Sequence, residues 1–359
     1  MEKQKMFLID MGFFMSRSLF RVTKDSEDSP YTPAQRDNLD FMAKEAARDF
    51  GEYLKTLLTE QKAINEETGK PNYFILCFDD NTYQVRPSYK QRTATPATAK
   101  VIKQKMYDIY MNTLKNTKSL KIANGFGMEA DDWAFCFSRN PAFKDFDITV
   151  ITSDRDWLCN ITENCGGIFY GGATLSDIHR SSWETDVMNF KDYQQMPYNA
   201  IWLYKITVGD KSDSIDGVKG FGPKAFQKVI EGMKTDNYPF ENLHRIEIFE
   251  EFLDSPDGLV KYLAPAIKKS QNLEECLTQA KEAWSLVRPV LLEEAKTYYE
   301  GHKEEIEQKK EARKEHYKEL LVKAQEEIAQ RHMTCPATVA TPVSSDSDES
   351  LPESNPLSV

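Results

Sequence analysis

The chain has 359 residues, 40% of them hydrophobic and 11% aromatic, with 46 Lys and Arg against 57 Asp and Glu for a formal net charge of −11. That suffices for one large or two modest cored domains, and no apolar run approaches the roughly 18–20 residues of a membrane span. Membrane, collagenous, fully disordered and small disulfide-stapled classes are thereby excluded. Cysteines 77, 136, 159, 165, 276 and 335 form no CxxC pair, which fits isolated thiols of a reducing compartment. The start of the chain carries no signal-like apolar segment, so a cytoplasmic location is expected.

In chain order, Lys5–Asp10 reads as a buried strand ending in a carboxylate, and residues 33–65 have helical periodicity. Tyr73–Asp79 is a second apolar strand with the same ending. Residues 81–128 then carry nine Lys and Arg against a single acid, Asp108. Ordinary surface helices mix signs, so a one-signed stretch points to a polyanion partner more than to a solvated face. It includes a helical segment over 97–116. A short strand is expected at 119–123, a helix at 128–138, a third apolar strand at 147–152 and a fourth at 166–172. Apolar strands alternating with helices predict an α/β fold with a mainly parallel sheet. Beyond residue 206 the pattern is helical. Residues 302–333 read as a charged, solvated helix, and 334–359, with no Lys or Arg, as a disordered acidic Ser/Pro-rich tail.

Three strands thus lead into Asp10, Asp79 and Asp154, and in an open parallel sheet such ends share one ligand-binding edge. Asp156 follows Asp154 on the same turn. Glu129, Asp131 and Asp132 sit at a helix start, where the dipole favours carboxylates. A lone strand-end Asp is ordinarily a turn or cap, but a converging set repels itself unless cations neutralise it. Oxygen ligands without His or Cys suit Mg²⁺ or Mn²⁺ and argue against zinc. Asp210 and Asp213 have the spacing of one helix face. The glycines of Gly217–Gly222 can bring backbone N–H groups close to a phosphate, with Pro223 opening the next helix.

Taken together, Ile9-Asp10, Phe78-Asp79, Tyr89-Lys90, Glu129-Ala130-Asp131-Asp132, Thr152-Ser153-Asp154-Arg155-Asp156, Gly209-Asp210-Lys211-Ser212-Asp213 and Gly217-Val218-Lys219-Gly220-Phe221-Gly222-Pro223-Lys224 resemble the 5′-nuclease superfamily. That group holds flap endonucleases, the 5′→3′ exonuclease domains of bacterial DNA polymerase I, and bacteriophage exonucleases and RNase H-type enzymes. The chain is closest in character to the phage enzymes, and the resemblance spans roughly residues 5–235. It implies a PIN-like nuclease domain over 1–208 with a helical arch inside 81–121. A helix–hairpin–helix and helical region follows at 209–300, then the charged helix at 301–333.

The resemblance also implies two Mg²⁺ ions, replaceable by Mn²⁺, with K⁺ as a further ion at the hairpin. Asp10, Asp79, Glu129 and Asp131 would lie toward the first ion, and Asp132, Asp154, Asp156, Asp210 and Asp213 toward the second or bridging. Asp10, Asp79 and Asp154 would be central to catalysis, with Lys90 supplying charge to the phosphate. Arg86, Tyr89, Lys90, Arg92, Lys100 and Lys103 would contact nucleic acid, as would Gly217, Lys219, Gly220, Gly222 and Lys224. The implied substrate is DNA or RNA/DNA with 5′ ends or flaps, cut in replication or primer removal in a bacterial or phage-infected cell. The C-terminal region would be free to meet a single-strand-binding or replication protein.

Two departures stand out. Thr93 occupies the position where the family often has a second arch cation, which lies at Arg92 here, and Asp80 directly follows Asp79, so sequence leaves open which of the pair faces the metals. A catalytically inactive DNA-binding protein on the same scaffold is one rival. A haloacid-dehalogenase-like phosphatase is another, but its chemistry needs an Asp where Gly12 stands.

Overall fold

The computed structural model describes residues 3–24, 29–80, 82–86, 95–114, 120–171, 174–178, 187–190, 193–211 and 213–334. A six-stranded sheet has the order β3-β2-β1-β4-β5-β6, with β1 Gln4–Asp10, β2 Tyr73–Cys77, β3 Leu120–Ala123, β4 Phe146–Thr152, β5 Cys165–Gly171 and β6 Thr174–Ile178. The pairs within β1–β5 are parallel and β6 is antiparallel, so the expected mainly parallel α/β sheet is present.

Side chains alternate across a strand, and here both faces are covered. Phe7, Ile9, Phe74 and Leu76 enter one core with α1 (Met11–Thr23), α3 (Leu39–Glu60) and α4 (Ala97–Leu114). Met6, Leu8, Ile75 and Cys77 enter the opposite core with α5 (Ala130–Arg139). Two faces of burial explain why these strands are apolar throughout.

Two helices differ from the sequence expectation. α1 starts at the residue after β1, with Asp10 serving as strand end and helix cap at once. The periodic stretch 33–65 is broken into α2 (Pro33–Asp37) and α3, because the Asn38 side chain accepts from Phe41 N and starts a new helix.

β7 (Val187–Phe190) and β8 (Tyr193–Pro197) form a separate antiparallel pair. Then α6 (Ile201–Thr207), α7 (Pro223–Thr235), α8 (Ile246–Asp254), α9 (Leu259–Leu263) and α10 (Leu273–Val287) share a third core. Trp202, Phe249 and Trp284 pack at its centre, with ring centroids 4.6–5.5 Å apart. This core takes in Ile201–Tyr204 and Ile206 of α6 and so begins ahead of residue 209. α11 (Leu292–Gly301) and α12 (Lys303–Thr334) complete the described chain. None of the described helices is long and apolar enough to cross a membrane.

Candidate active site

In the sheet, β2 lies on one side of β1 and β4 on the other. The chain's path therefore reverses beside β1, and a crevice opens there at the carboxyl ends of the strands. Asp10 closes β1 at this point, only 5% exposed. Its Oδ1 accepts from Phe13 N at 3.0 Å and its Oδ2 from Thr152 Oγ1 at 2.6 Å, a bond that spans the crevice between β1 and β4. Thr152 Oγ1 in turn accepts from Asp154 N at 2.9 Å, and Asp154 Oδ1 accepts from Asp156 N at 3.0 Å. One hydroxyl thus fixes the first carboxylate and the turn that carries the next two.

The ambiguity between Asp79 and Asp80 is resolved by their partners. Asp80 is buried, its Oδ2 accepting from Gly127 N and its Oδ1 from Thr82 N, so it shapes the loop. Asp79 Oδ1 accepts from Ala130 N at the start of α5, and its Oδ2 lies near Gly12. A Cβ on Gly12 would lie 3.3 Å from Asp10 Oδ1 and 3.7 Å from Asp79 Oδ2, which places both carboxylates around that glycine.

The α5 acids divide. Asp132 is 1% exposed, with Oδ2 accepting from Glu129 N and Oδ1 from both Val290 N and Arg86. Those bonds tie α5 to the segment ahead of α11 and engage both Asp132 oxygens. Glu129 and Asp131 remain beside the crevice, 3.2 and 3.5 Å from the Arg86 guanidinium. Arg86, named from the sequence as a nucleic-acid contact, is only 10% exposed and pairs with these three acids.

A second acidic group forms across the crevice. Asp156, Asp210 and Asp213 bring carboxylate oxygens within 4.8 Å of one another. Asp210 and Asp213 do so from a tight turn, with Asp210 and Ile215 exchanging backbone bonds, and not from a helix face. Lys205 stands among them, its Nζ 2.5 Å from Asp156, 3.1 Å from Asp210 and 2.9 Å from Asp213. Sequence reasoning missed this residue. Its signal is a single lysine inside the otherwise apolar run Ile201–Thr207, since lysine is almost never fully buried without partners. A cavity of about 20 Å³ is lined by Arg86, Asp131, Asp156 and Lys205 together with apolar residues such as Ile201 and Trp202.

The electrostatics follow from burial and crowding. Loss of solvent, then the nearby charges of Asp79 and Asp131, hold Asp10 up at about 6 despite its two hydrogen bonds. Asp154 has an outer side in solvent, yet the crevice walls strip part of its water, and with Asp10 and Asp131 they also raise it to about 6. Burial pushes Asp132 to about 7 in spite of Arg86. Burial alone would depress Lys205, but Asp156, Asp213 and Asp210 outweigh it and hold its pKa well above the usual lysine range. Crowded carboxylates held above their ordinary range, with only oxygen donors, fit hard divalent cations.

Tyr89, Lys90 and Arg92 lie outside the described residues, as does the tail from residue 335. Lys100 is exposed on α4, and Lys103 Nζ donates to Ser16 Oγ at 3.1 Å. At the α6–α7 turn, Gly217 and Gly220 have φ of +63° and +74°. Lys219 N donates to Gln279 Oε1, so that amide is already engaged, whereas Gly220 and Lys224 are exposed.

Fold and site together define an α/β protein with carboxylate groups converging at the carboxyl edge of a parallel sheet. No protein-family model matches the chain. It is 27% identical over 184 residues to DNA polymerase I of Caldicellulosiruptor bescii, covering 50% of this chain and 21% of that one. It is 30% identical over 197 residues to the 5′-3′ exonuclease of Bacillus subtilis, covering 53% and 61%. The match thus spans less than two thirds of either relative. Among solved structures, a bacteriophage T5 flap endonuclease in complex with DNA and metal ions overlays with a TM-score of 0.49 at 15% identity, over 90% of this chain and 100% of that one. Its sequence relatives are thus a DNA polymerase I and a 5′-3′ exonuclease, each similar over about half of this chain.

Proposed function

We propose that this chain is a Mg²⁺-dependent, structure-specific 5′-nuclease that hydrolyses phosphodiester bonds near 5′ ends or flaps of DNA or RNA/DNA, in replication or primer removal. The observation that carries the reading is the convergence of Asp10, Asp79, Asp131 and Asp154 on one crevice, with Asp156, Asp210 and Asp213 grouped beside it. Asp10, Asp79, Glu129, Asp131 and Asp154 would hold one cation, and Asp156, Asp210 and Asp213 a second, with Mn²⁺ able to replace Mg²⁺. Bound there, the cations would lower the cost of forming a hydroxide nucleophile and of charge on the departing oxygen.

The chain's own groups do the rest. Thr152 holds the Asp10 carboxylate in place and orients the Asp154 turn. Lys205 keeps three carboxylates together and offers an internal positive charge. Lys90, with Arg92 and Tyr89, would meet the phosphate and the flanking base. Gly217, Gly220, Gly222, Lys219 and Lys224 would grip the duplex away from the cut, aided by K⁺ at the α6–α7 turn.

The neutralisation of the acidic groups by Arg86 and Lys205 also favours a second reading, an inactive structure-specific DNA-binding protein. Offering 5′-labelled flap, nicked, gapped and RNA-primed duplexes with Mg²⁺ and sizing the products separates the two. Short 5′ products support the nuclease, and tight binding without products the rival.

A further inference from the structure

α12 makes little use of its length for burial. Among its described side chains only Ile306 and Ala324 are buried, and Lys–Glu pairs three or four residues apart cover its outer faces. Its main seat is α4. Ala324 packs with Ala97 and Val101, flanked by Tyr317, Leu320, Leu321 and Leu39.

The first N–H groups of a helix have no partner within it. In α4 two of them are taken from 230 residues away: Ala97 N donates to Glu327 Oε1 at 2.7 Å and Thr98 N to Glu327 Oε2 at 3.0 Å. Arg331 adds a bond to Thr98 Oγ1 at 3.2 Å and Arg313 one to Gln104 Oε1 at 3.2 Å. A carboxylate at a helix start also gains from the helix dipole. The start, the middle and one face of α4 are therefore set by α12.

What α4 presents to the site is Lys103. Its ammonium donates to Ser16 Oγ, and Ser16 Oγ donates to Gly12 O at 2.7 Å. Gly12 is the residue around which Asp10 and Asp79 are arranged. Lys100 lies on the same α4 face as Lys103, one turn nearer the cap.

We infer that Glu327 is a positioning residue for nucleic-acid binding: by capping α4 it fixes where Lys100 and Lys103 stand beside the acidic crevice. This rests on the 5′-nuclease reading above.

The test uses the full chain with Glu327→Ala, the pair Lys100→Ala/Lys103→Ala, and the triple variant. It measures affinity for a 5′-flap DNA in Ca²⁺, single-turnover cleavage at saturation in Mg²⁺, melting, and amide exchange at Ala97 and Thr98. Glu327→Ala should speed exchange at those two amides and weaken DNA binding about fivefold, the loss falling on affinity more than on the saturated rate. The triple variant should bind no worse than the Lys100→Ala/Lys103→Ala pair alone within about twofold, since residues acting through one another are not additive. Glu327→Gln, which keeps one acceptor, should fall between, and it serves if the alanine variant fails to fold. Losses that simply multiply, or faster exchange with unchanged affinity, would overturn the role and leave α12 a structural prop. A wild-type chain that neither binds nor cuts any of the DNAs would instead overturn the nuclease reading, and this role with it.

Discussion

Lys205 Nζ lies 2.5 Å from the Asp156 carboxylate and is only 4% exposed, so a built-in cation sits where three acids converge. With its pKa held well above the usual range it stays charged at working pH. Removing one partner of a buried ionic group leaves uncompensated charge, at about 3–5 kcal/mol. Lys205→Met should therefore lower stability strongly in EDTA, and Mg²⁺ or Ca²⁺ should restore more of it than the same ion adds to the wild type. Urea melts with and without the ion check this. An equal response in both proteins would mean that the three acids do not bind the ion.

The carboxylates also set a pH dependence. Asp10 and Asp154 are held at about 6 in the folded chain, above the ordinary Asp value of 3.8. A folded group with a raised carboxylate pKa binds more protons than the unfolded chain, so stability falls as pH rises. Cation-free protein should lose stability between about pH 4 and 6 from these two groups, with Asp132 extending the fall to about 7. Saturating Mg²⁺ should flatten or reverse the slope, because the cation favours the ionised acids. Melting curves from pH 4 to 8 in EDTA and in Mg²⁺ read this directly, and a Tm in EDTA that rose across the window would contradict the assignment.

Asp79 and Asp80 should separate cleanly. Asp79→Asn should cost at least about a hundredfold in single-turnover cleavage with little change in Tm. Asp80→Ala strips the buried Gly127 N–H of its acceptor and should cost about 1–3 kcal/mol of stability. Similar profiles for the two would mean that the crevice is not lined as described.

These two neighbours also mark the limit of what sequence can reveal. Asp10 and Asp154 were legible because buried strands announce themselves as apolar runs, and parallel strands deliver their ends to one edge. Asp79 and Asp80 both follow such a run, and only bonds to Gly127 and Ala130, some fifty residues on, tell them apart. The buried bond of Asp132 to Val290 was not legible, because its partner lies 158 residues away. α1 escaped notice since no linker separates it from β1, one Asp doing both jobs. The charged helix at 302–333 was legible as a solvated helix, but its seat on α4 rests on Ala324 and one glutamate, too little for a pattern.

At the α6–α7 turn, Gly217 and Gly220 both have positive φ, but their surroundings differ. A Cβ at Gly217 would stand 2.4 Å from Gly209 N and 2.8 Å from Thr207 O, whereas at Gly220 the nearest atom is Gln271 Nε2 at 3.7 Å. Gly220→Ala should cost about 1–2 kcal/mol of backbone strain, and Gly217→Ala distinctly more. Gly220→Val should weaken binding to long duplex arms and make its salt dependence shallower, while a saturated enzyme keeps most of its rate. Normal binding with an unchanged salt slope in a folded variant would make the turn purely structural.

In the proposed nuclease the crevice carboxylates would hold the divalent cations on which phosphodiester cleavage depends. The most direct test is single-turnover cleavage of a 5′-labelled flap substrate by the wild type and by Asp154→Asn, across a Mg²⁺ titration that begins in EDTA. No product is expected in EDTA, the wild-type rate should climb with Mg²⁺, and Asp154→Asn should lose at least about a thousandfold while still binding flap DNA in Ca²⁺. Cleavage that persisted in EDTA, or an Asp154→Asn rate near that of the wild type, would contradict this role of the carboxylates.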